Sequence, residues 1–169
     1  MNYILLLGGN IGDRLEFIKN AIKEINIQCG KVTKESKIYE TAAWGVENQA
    51  SFYNQVIEVS SLMDPYSFLK NILQIEKDLG RIRFQKWGER VIDIDILFID
   101  DLIIDTESLT IPHPQLHKRR FTLIPLIDIA QKLVHPILNK SVEHLLKICP
   151  DKLEVKVVQG YKKNDEISS

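Results

Sequence analysis

The stretch Lys86-Trp87-Gly88-Glu89-Arg90-Val91-Ile92-Asp93-Ile94-Asp95-Ile96-Leu97-Phe98 constrains the fold of this chain more than any other. Acids alternate with branched apolar residues, and side chains alternate across a strand. Val91, Asp93, Asp95 and Leu97 should therefore face one way, and Ile92, Ile94, Ile96 and Phe98 the other. The apolar face calls for a core. Two acids separated by roughly 6.6 Å of strand rise then share the opposite face, where their repulsion is costly without a cation beside them. Magnesium held against a phosphate fits such a pair, because the ion takes one or two carboxylates and leaves its other positions to water and phosphate oxygens. An isolated Asp-x-Asp is also compatible with an ordinary half-exposed strand whose polar face meets water. The neighbours favour the first reading. Arg81, Arg83, Lys86 and Arg90 precede the acids, and His113, Lys118, Arg119 and Arg120 follow them. Cations on both sides of a metal-holding pair suit a triphosphate.

With 169 residues the chain is expected to form one domain over 1–158, large enough to bury a core without staples, and the polar, aperiodic stretch 159–169 reads as a flexible tail. A net charge of -1 argues against a nucleic-acid binder that relies on overall basicity, so any polyanion bound should be small. Cys29 and Cys149 are far apart and in no metal-like spacing, and read as idle or buried thiols. No run approaches a membrane span, and Tyr3 to Leu7 meets Gly8-Gly9 without a basic region or a cleavage site, so a cytoplasmic protein without a membrane partner is expected.

Residues 2–8 form an apolar run suited to a buried strand. Asp13 with Glu16 makes a capping box, and Leu15, Ile18, Ile22 and Ile25 recur at helical spacing until Gly30. Lys31 to Thr41 suggests a second strand, and Phe52 to Ser60 a third with Tyr53, Ile57 and Val59 on one face. The connection from Ala42 to Ser51 is long for a hairpin and suits a functional loop. Asp64-Pro65 then opens a helix whose stripe is Phe68, Ile72, Ile75 and Leu79, and the Asp-x-Asp strand follows. The order is βαββαβ, the split arrangement of ferredoxin-like α+β folds: an antiparallel sheet with helices covering one face. Beyond it, Leu102-Ile103-Ile104 reads as a short edge strand, 115–130 and 141–148 as helical, and Leu153 to Val158 as a late strand.

Gly8-Gly9-Asn10-Ile11-Gly12-Asp13 joins a strand to a helix, but its spacing matches neither G-x-G-x-x-G nor a P-loop. It reads as a tight turn, or as the floor of a substrate pocket with Asn10. Arginines are usually solvated, yet guanidinium gives fixed bidentate donors and keeps its charge, so at least two of Arg81, Arg83, Arg90 and Arg119 are expected on phosphate. His113, between prolines, is a turn residue or a phosphate donor. Trp87 suits a core position or a lid equally. Phe52 with Asn54, and Phe121, are core aromatics or the holders of a flat heterocycle, and Glu76 would ordinarily be a solvated helix acid.

These residues resemble the 6-hydroxymethyl-7,8-dihydropterin pyrophosphokinase family. The likeness runs from Tyr3 through Gly9-Asn10-Ile11-Gly12, Tyr39-Glu40-Thr41, Phe52-Tyr53-Asn54, Gly80-Arg81-Ile82-Arg83 and Trp87 to Asp95, and on to Pro112-His113. It implies transfer of diphosphate from ATP to the hydroxymethyl group of 6-hydroxymethyl-7,8-dihydropterin, giving AMP, in folate biosynthesis. It implies that Asp93 and Asp95 bind two Mg²⁺ ions, and that Arg81, Arg83, Arg90, His113 and Arg119 neutralise the transferred group. The pterin would lie between Phe52 and Phe121, its edge read by Asn54 and by groups near Thr41, Ala42 and Trp44. Thr110 and the backbone near Ile96 fall where the family holds adenine, with Glu76 and Trp87 also on the ATP side. A monomer is expected. Ala42-Ala43 stands where relatives often have prolines, and Ser108 where some carry a basic residue. Two alternatives remain at this point: a two-metal nucleotidyltransferase using the same acids, and a ferredoxin-like binding module in which they are merely solvated.

Overall fold

The computed structural model describes residues 1–42, 50–80 and 91–158. Trp44, Arg81, Arg83, Lys86, Trp87, Arg90 and the tail from Gln159 lie outside the described residues.

The first strand, β1 (Asn2–Gly9), is apolar on both faces, so it can be stable only at the centre of a sheet covered on both sides. It pairs antiparallel with β4 (Phe52–Ser60) on one side and β5 (Asp93–Ile99) on the other. Tyr3, Leu5 and Leu7 turn to one face and meet α1 (Arg14–Gln28) and α2 (Pro65–Asp78) through Ile18, Ala21, Ile25, Phe68, Ile72 and Ile75. Both helices start where local chemistry dictates. The Asp13 carboxylate accepts the Glu16 amide at 3.1 Å. Asp64 accepts the amides of Tyr66 and Ser67, and Pro65 has no amide to satisfy.

The expected single strand over Lys31 to Thr41 is two, β2 (Lys31–Glu35) and β3 (Tyr39–Thr41), lying along the same edge of β4. The break falls at Ser36, whose hydroxyl rather than its backbone carbonyl takes the Val56 amide at 2.9 Å. Ile104–Asp105 (β6) and Thr110–Ile111 (β7) make a separate two-stranded ribbon, so the expected edge strand is not part of the main sheet. The late strand does form, as β8 (Val155–Val157) on the outer side of β3. The main sheet runs β5-β1-β4-β3-β8.

Two further features correct the sequence reading. Helices were expected on one face only, yet α3 (Arg120–Ala130) and α4 (Val142–Lys147) pack on the other, over Ile4, Leu6, Val56, Leu97 and Phe98. The second correction concerns Phe98. Leu5 pairs with Ile96 and Ile4 with Phe98, so Leu97 is an extra residue in the ladder. A bulge of this kind reverses the alternation beyond it, and Phe98 joins Leu97 on the α3 face while Ile99 returns to the α1 face.

Candidate active site

The α3 face is only partly roofed. Beside the start of α3 and beyond the end of α4, a cavity of about 660 Å³ opens on the sheet, a volume typical of small-molecule sites. Its floor follows from the register. Asp93 lies opposite Gly8, Gly8 opposite Asn54, Asp95 opposite Leu6, and Phe52 opposite Thr41. Paired residues present side chains to the same face, so strands far apart in sequence converge on one surface. Gly8 is required by close approach: a Cβ there would fall on the Asn54 Oδ1 atom, so the missing side chain lets the Asn54 amide lie across β1. Thr41 adds a buried hydroxyl that finds no hydrogen-bond partner among the described residues.

One wall comes from the turn Leu116–Lys118 and the start of α3, which bring Gln115, Lys118, Arg119 and Phe121 to the cavity. The Arg119 guanidinium stands 5.7 Å from the centre of the Phe121 ring. Pro150, Asp151 and Leu153, from the segment after α4, extend that wall, with Asp151 against the first amide of α3. Phe52 on the floor and Phe121 on the wall are both half-buried, as rings open to a ligand must be.

Asp93 and Asp95 are half-buried and both line the cavity. His113 flanks them. Its backbone amide donates to the Leu97 carbonyl at 2.9 Å, and its Nδ1 accepts the Gln115 amide at 3.1 Å. Burial holds the His113 imidazole below the ordinary histidine range, the Asp95 carboxylate draws it back up, and the Arg119 guanidinium pushes it down. Carboxylate, imidazole and guanidinium therefore share one electrostatic neighbourhood.

The structure thus brings together Thr41, Ala42, Phe52, Asn54, Asp93, Asp95, Arg119 and Phe121, with His113 beside them. Glu76 is not a solvated helix acid: it is buried, and its Oε2 accepts the Ile94 amide at 3.1 Å, between the two aspartates. It does not line the cavity, nor do the exposed Thr110 and the buried Ile96. Asn10 is buried, and its amide donates to the Ala50 carbonyl, tying the turn to the segment that leads into β4. Gln115, Pro150, Asp151 and Leu153 also line the cavity, and none carries a motif by which sequence alone could find it, whereas Lys118 belongs to the basic cluster after the acids.

A Mg²⁺ ion fits the donor set. Asp93 and Asp95 offer hard oxygen atoms on alternate positions of one strand, open to the cavity. Among the described residues no group of three or more His, Cys, Asp or Glu side chains could hold a metal. Magnesium needs no larger set than such a pair, because it keeps most of its shell for water and phosphate oxygens.

A family model described as 7,8-dihydro-6-hydroxymethylpterin-pyrophosphokinase (HPPK) matches residues 4–131. The 2-amino-4-hydroxy-6-hydroxymethyldihydropteridine pyrophosphokinase of Aquifex aeolicus is 42% identical over 137 residues, covering 81% of this chain and 85% of that protein. The protein of the same name from Bacillus subtilis is 41% identical over 130 residues, covering 76% and 78% respectively. Plasmodium falciparum HPPK-DHPS, solved as wild type with pteroate, shares the fold at a TM-score of 0.70 and 18% identity, over 86% of this chain and 44% of that longer one. Strand acids, ring pair and sequence matches agree: the chain belongs to the 7,8-dihydro-6-hydroxymethylpterin-pyrophosphokinase (HPPK) family and is an enzyme of that class.

Proposed function

We propose that this pyrophosphokinase transfers the terminal diphosphate of ATP to the hydroxymethyl oxygen of 6-hydroxymethyl-7,8-dihydropterin. The observation that carries the reading is the meeting of Asp93 and Asp95 with Phe52, Asn54 and Phe121 in one cavity, so that a metal-phosphate end and a flat-ring end adjoin. Phe52 and Phe121 hold the pterin by its faces, and Asn54, fixed over Gly8, reads its edge. Asp93 and Asp95 would hold the Mg²⁺ ions, whose charge when bound offsets that of the ATP phosphates. Arg119 and His113 donate to phosphate oxygens from the opposite side, and Arg81, Arg83 and Arg90, whose positions in sequence flank the acids, are assigned the same work. The pterin oxygen forms a bond to the β-phosphorus while the bond from that phosphorus to the α-β bridging oxygen breaks, the hydroxyl proton passes to solvent, and AMP leaves. Catalysis on this reading is mostly alignment and charge neutralisation. Product analysis tests it: ATP and the reduced hydroxymethylpterin should yield AMP and the pterin diphosphate in equal amounts. Stoichiometric ADP would overturn the diphosphate transfer.

A further inference from the structure

The match to the family model ends at residue 131, yet part of the cavity wall lies beyond it. The segment after α4 contributes Pro150, Asp151 and Leu153 to the wall and continues as β8, which pairs with β3 and so reaches Thr41. What docks it is one carboxylate. Helix α3 begins without a side-chain cap of its own, because Arg119 at its N-cap makes none. Asp151 supplies the missing acceptor from 31 residues away: its Oδ2 accepts the Arg120 amide at 3.0 Å. Its Oδ1 accepts the Leu153 amide, also at 3.0 Å, which turns the segment toward the cavity. A negative charge at a helix N-terminus is favoured both by the exposed amides and by the helix dipole.

The contact matters because of what stands beside it. Arg119 and Phe121 flank Arg120 in sequence and both line the cavity. Wherever Asp151 fixes the Arg120 amide, it fixes the backbone from which the Phe121 ring projects. We propose that Asp151 is a positioning residue for the pterin, latching the start of α3 to the post-α4 segment so that Phe121 faces Phe52 while Pro150 and Leu153 close the wall. This rests on the reading of the cavity as the pterin site. A phenylalanine ring has two torsions and follows its backbone, whereas the long Arg119 side chain can reach phosphate from a slightly displaced one. Loss of the latch should therefore weaken pterin binding more than nucleotide binding.

The latch can be cut from either side. Asp151→Ala removes the acceptor. Arg120→Pro removes the donor and suits the site, since proline is favoured at the first helical position and Arg119 before it already has the extended backbone (φ −120°, ψ 109°) that a following proline requires. Arg120→Ala keeps the amide and serves as the control. Affinities for 6-hydroxymethylpterin and for a non-hydrolysable ATP analogue with Mg²⁺ are measured on the full chain below its unfolding midpoint. Both latch variants should bind the pterin about tenfold more weakly, with the nucleotide little affected, and Arg120→Ala should bind both normally. A residue that only stabilised the fold would lower the midpoint and leave pterin affinity unchanged. If Asp151→Ala does not fold, Arg120→Pro decides alone. Normal pterin affinity in either folded variant, or an equal loss of nucleotide affinity, would overturn the positioning role. Failure of the unaltered chain to bind the pterin at all is a distinguishable result, and would overturn the substrate assignment together with the inference built on it.

Discussion

Asp93→Asn and Asp95→Asn each keep the shape of the side chain and remove one charge from the cavity. If the pair holds Mg²⁺ against ATP, either change should lower turnover by roughly a hundredfold or more, with a higher Mg²⁺ requirement, while the protein still folds. A steady-state assay across a Mg²⁺ titration, with a thermal melt beside it, checks both halves. Near-normal turnover at ordinary Mg²⁺ would return the acids to the role of solvated surface residues. The alternation that placed them on one face was legible in the sequence because it depends only on the strand period. What Gly8 does was not. A glycine in a strand has several readings, and only the register that sets it between Asp93 and Asn54 shows that its missing Cβ makes room for the Asn54 amide.

At the scale of elements, β5 is an edge strand of the main sheet. The metal-holding role proposed for Asp93 and Asp95 needs that strand held still. Glu76, in the last turn of α2, does so by accepting the Ile94 amide from between the two aspartates. Its burial had a signal in the sequence: Glu76 follows Ile72 by four residues, so it shares the apolar face of the helix, and the usual preference of glutamate for water hid this. Glu76→Ala strands a buried amide and should cost about 1–3 kcal/mol of stability. Glu76→Gln retains an acceptor oxygen and should recover most of that loss. Denaturant midpoints of the two variants decide the matter, and an unchanged midpoint for Glu76→Ala would remove the carboxylate from any structural role. The other elements show where periodicity ran out. α1 and α2 were readable from caps and stripes, whereas the break of β2 from β3 depends on one serine hydroxyl and the reversal at Leu97 on one extra residue in a ladder.

For the whole molecule, the sheet is covered on both faces; the helices of the second layer were legible as helices, but their place was not, because contacts between residues distant in sequence set it. His135, on the connection between those helices, is one such contact. It is buried, its ring meets Phe98 of β5 edge-on at 5.8 Å and His117 at 6.2 Å, and its Nδ1 accepts the amides of Ile137 and Leu138. Those two bonds require Nδ1 to be unprotonated. Burial, with a smaller push from His117, holds the His135 imidazole below the ordinary histidine range, and burial with Lys118 does the same to His117. The sign follows. Well above pH 6.5 these imidazoles are neutral in both folded and unfolded chains and contribute no pH dependence. As the pH falls below that value the unfolded chain takes up protons that the folded chain resists, so the unfolded state binds more of them and stability drops. Urea unfolding should therefore show a lower midpoint near pH 5.5 than near pH 7.5, with full stability on the alkaline side of the histidine range. His135→Asn provides a side-chain oxygen near the place of Nδ1 but cannot titrate. Its midpoint should be lower overall, since the contact with Phe98 is lost, yet it should fall less between the two pH values, the remainder coming from His113 and His117. A fall as steep as that of the unaltered chain would show that the coupling of His135 between the second layer and the sheet is not what makes this fold sensitive to acid.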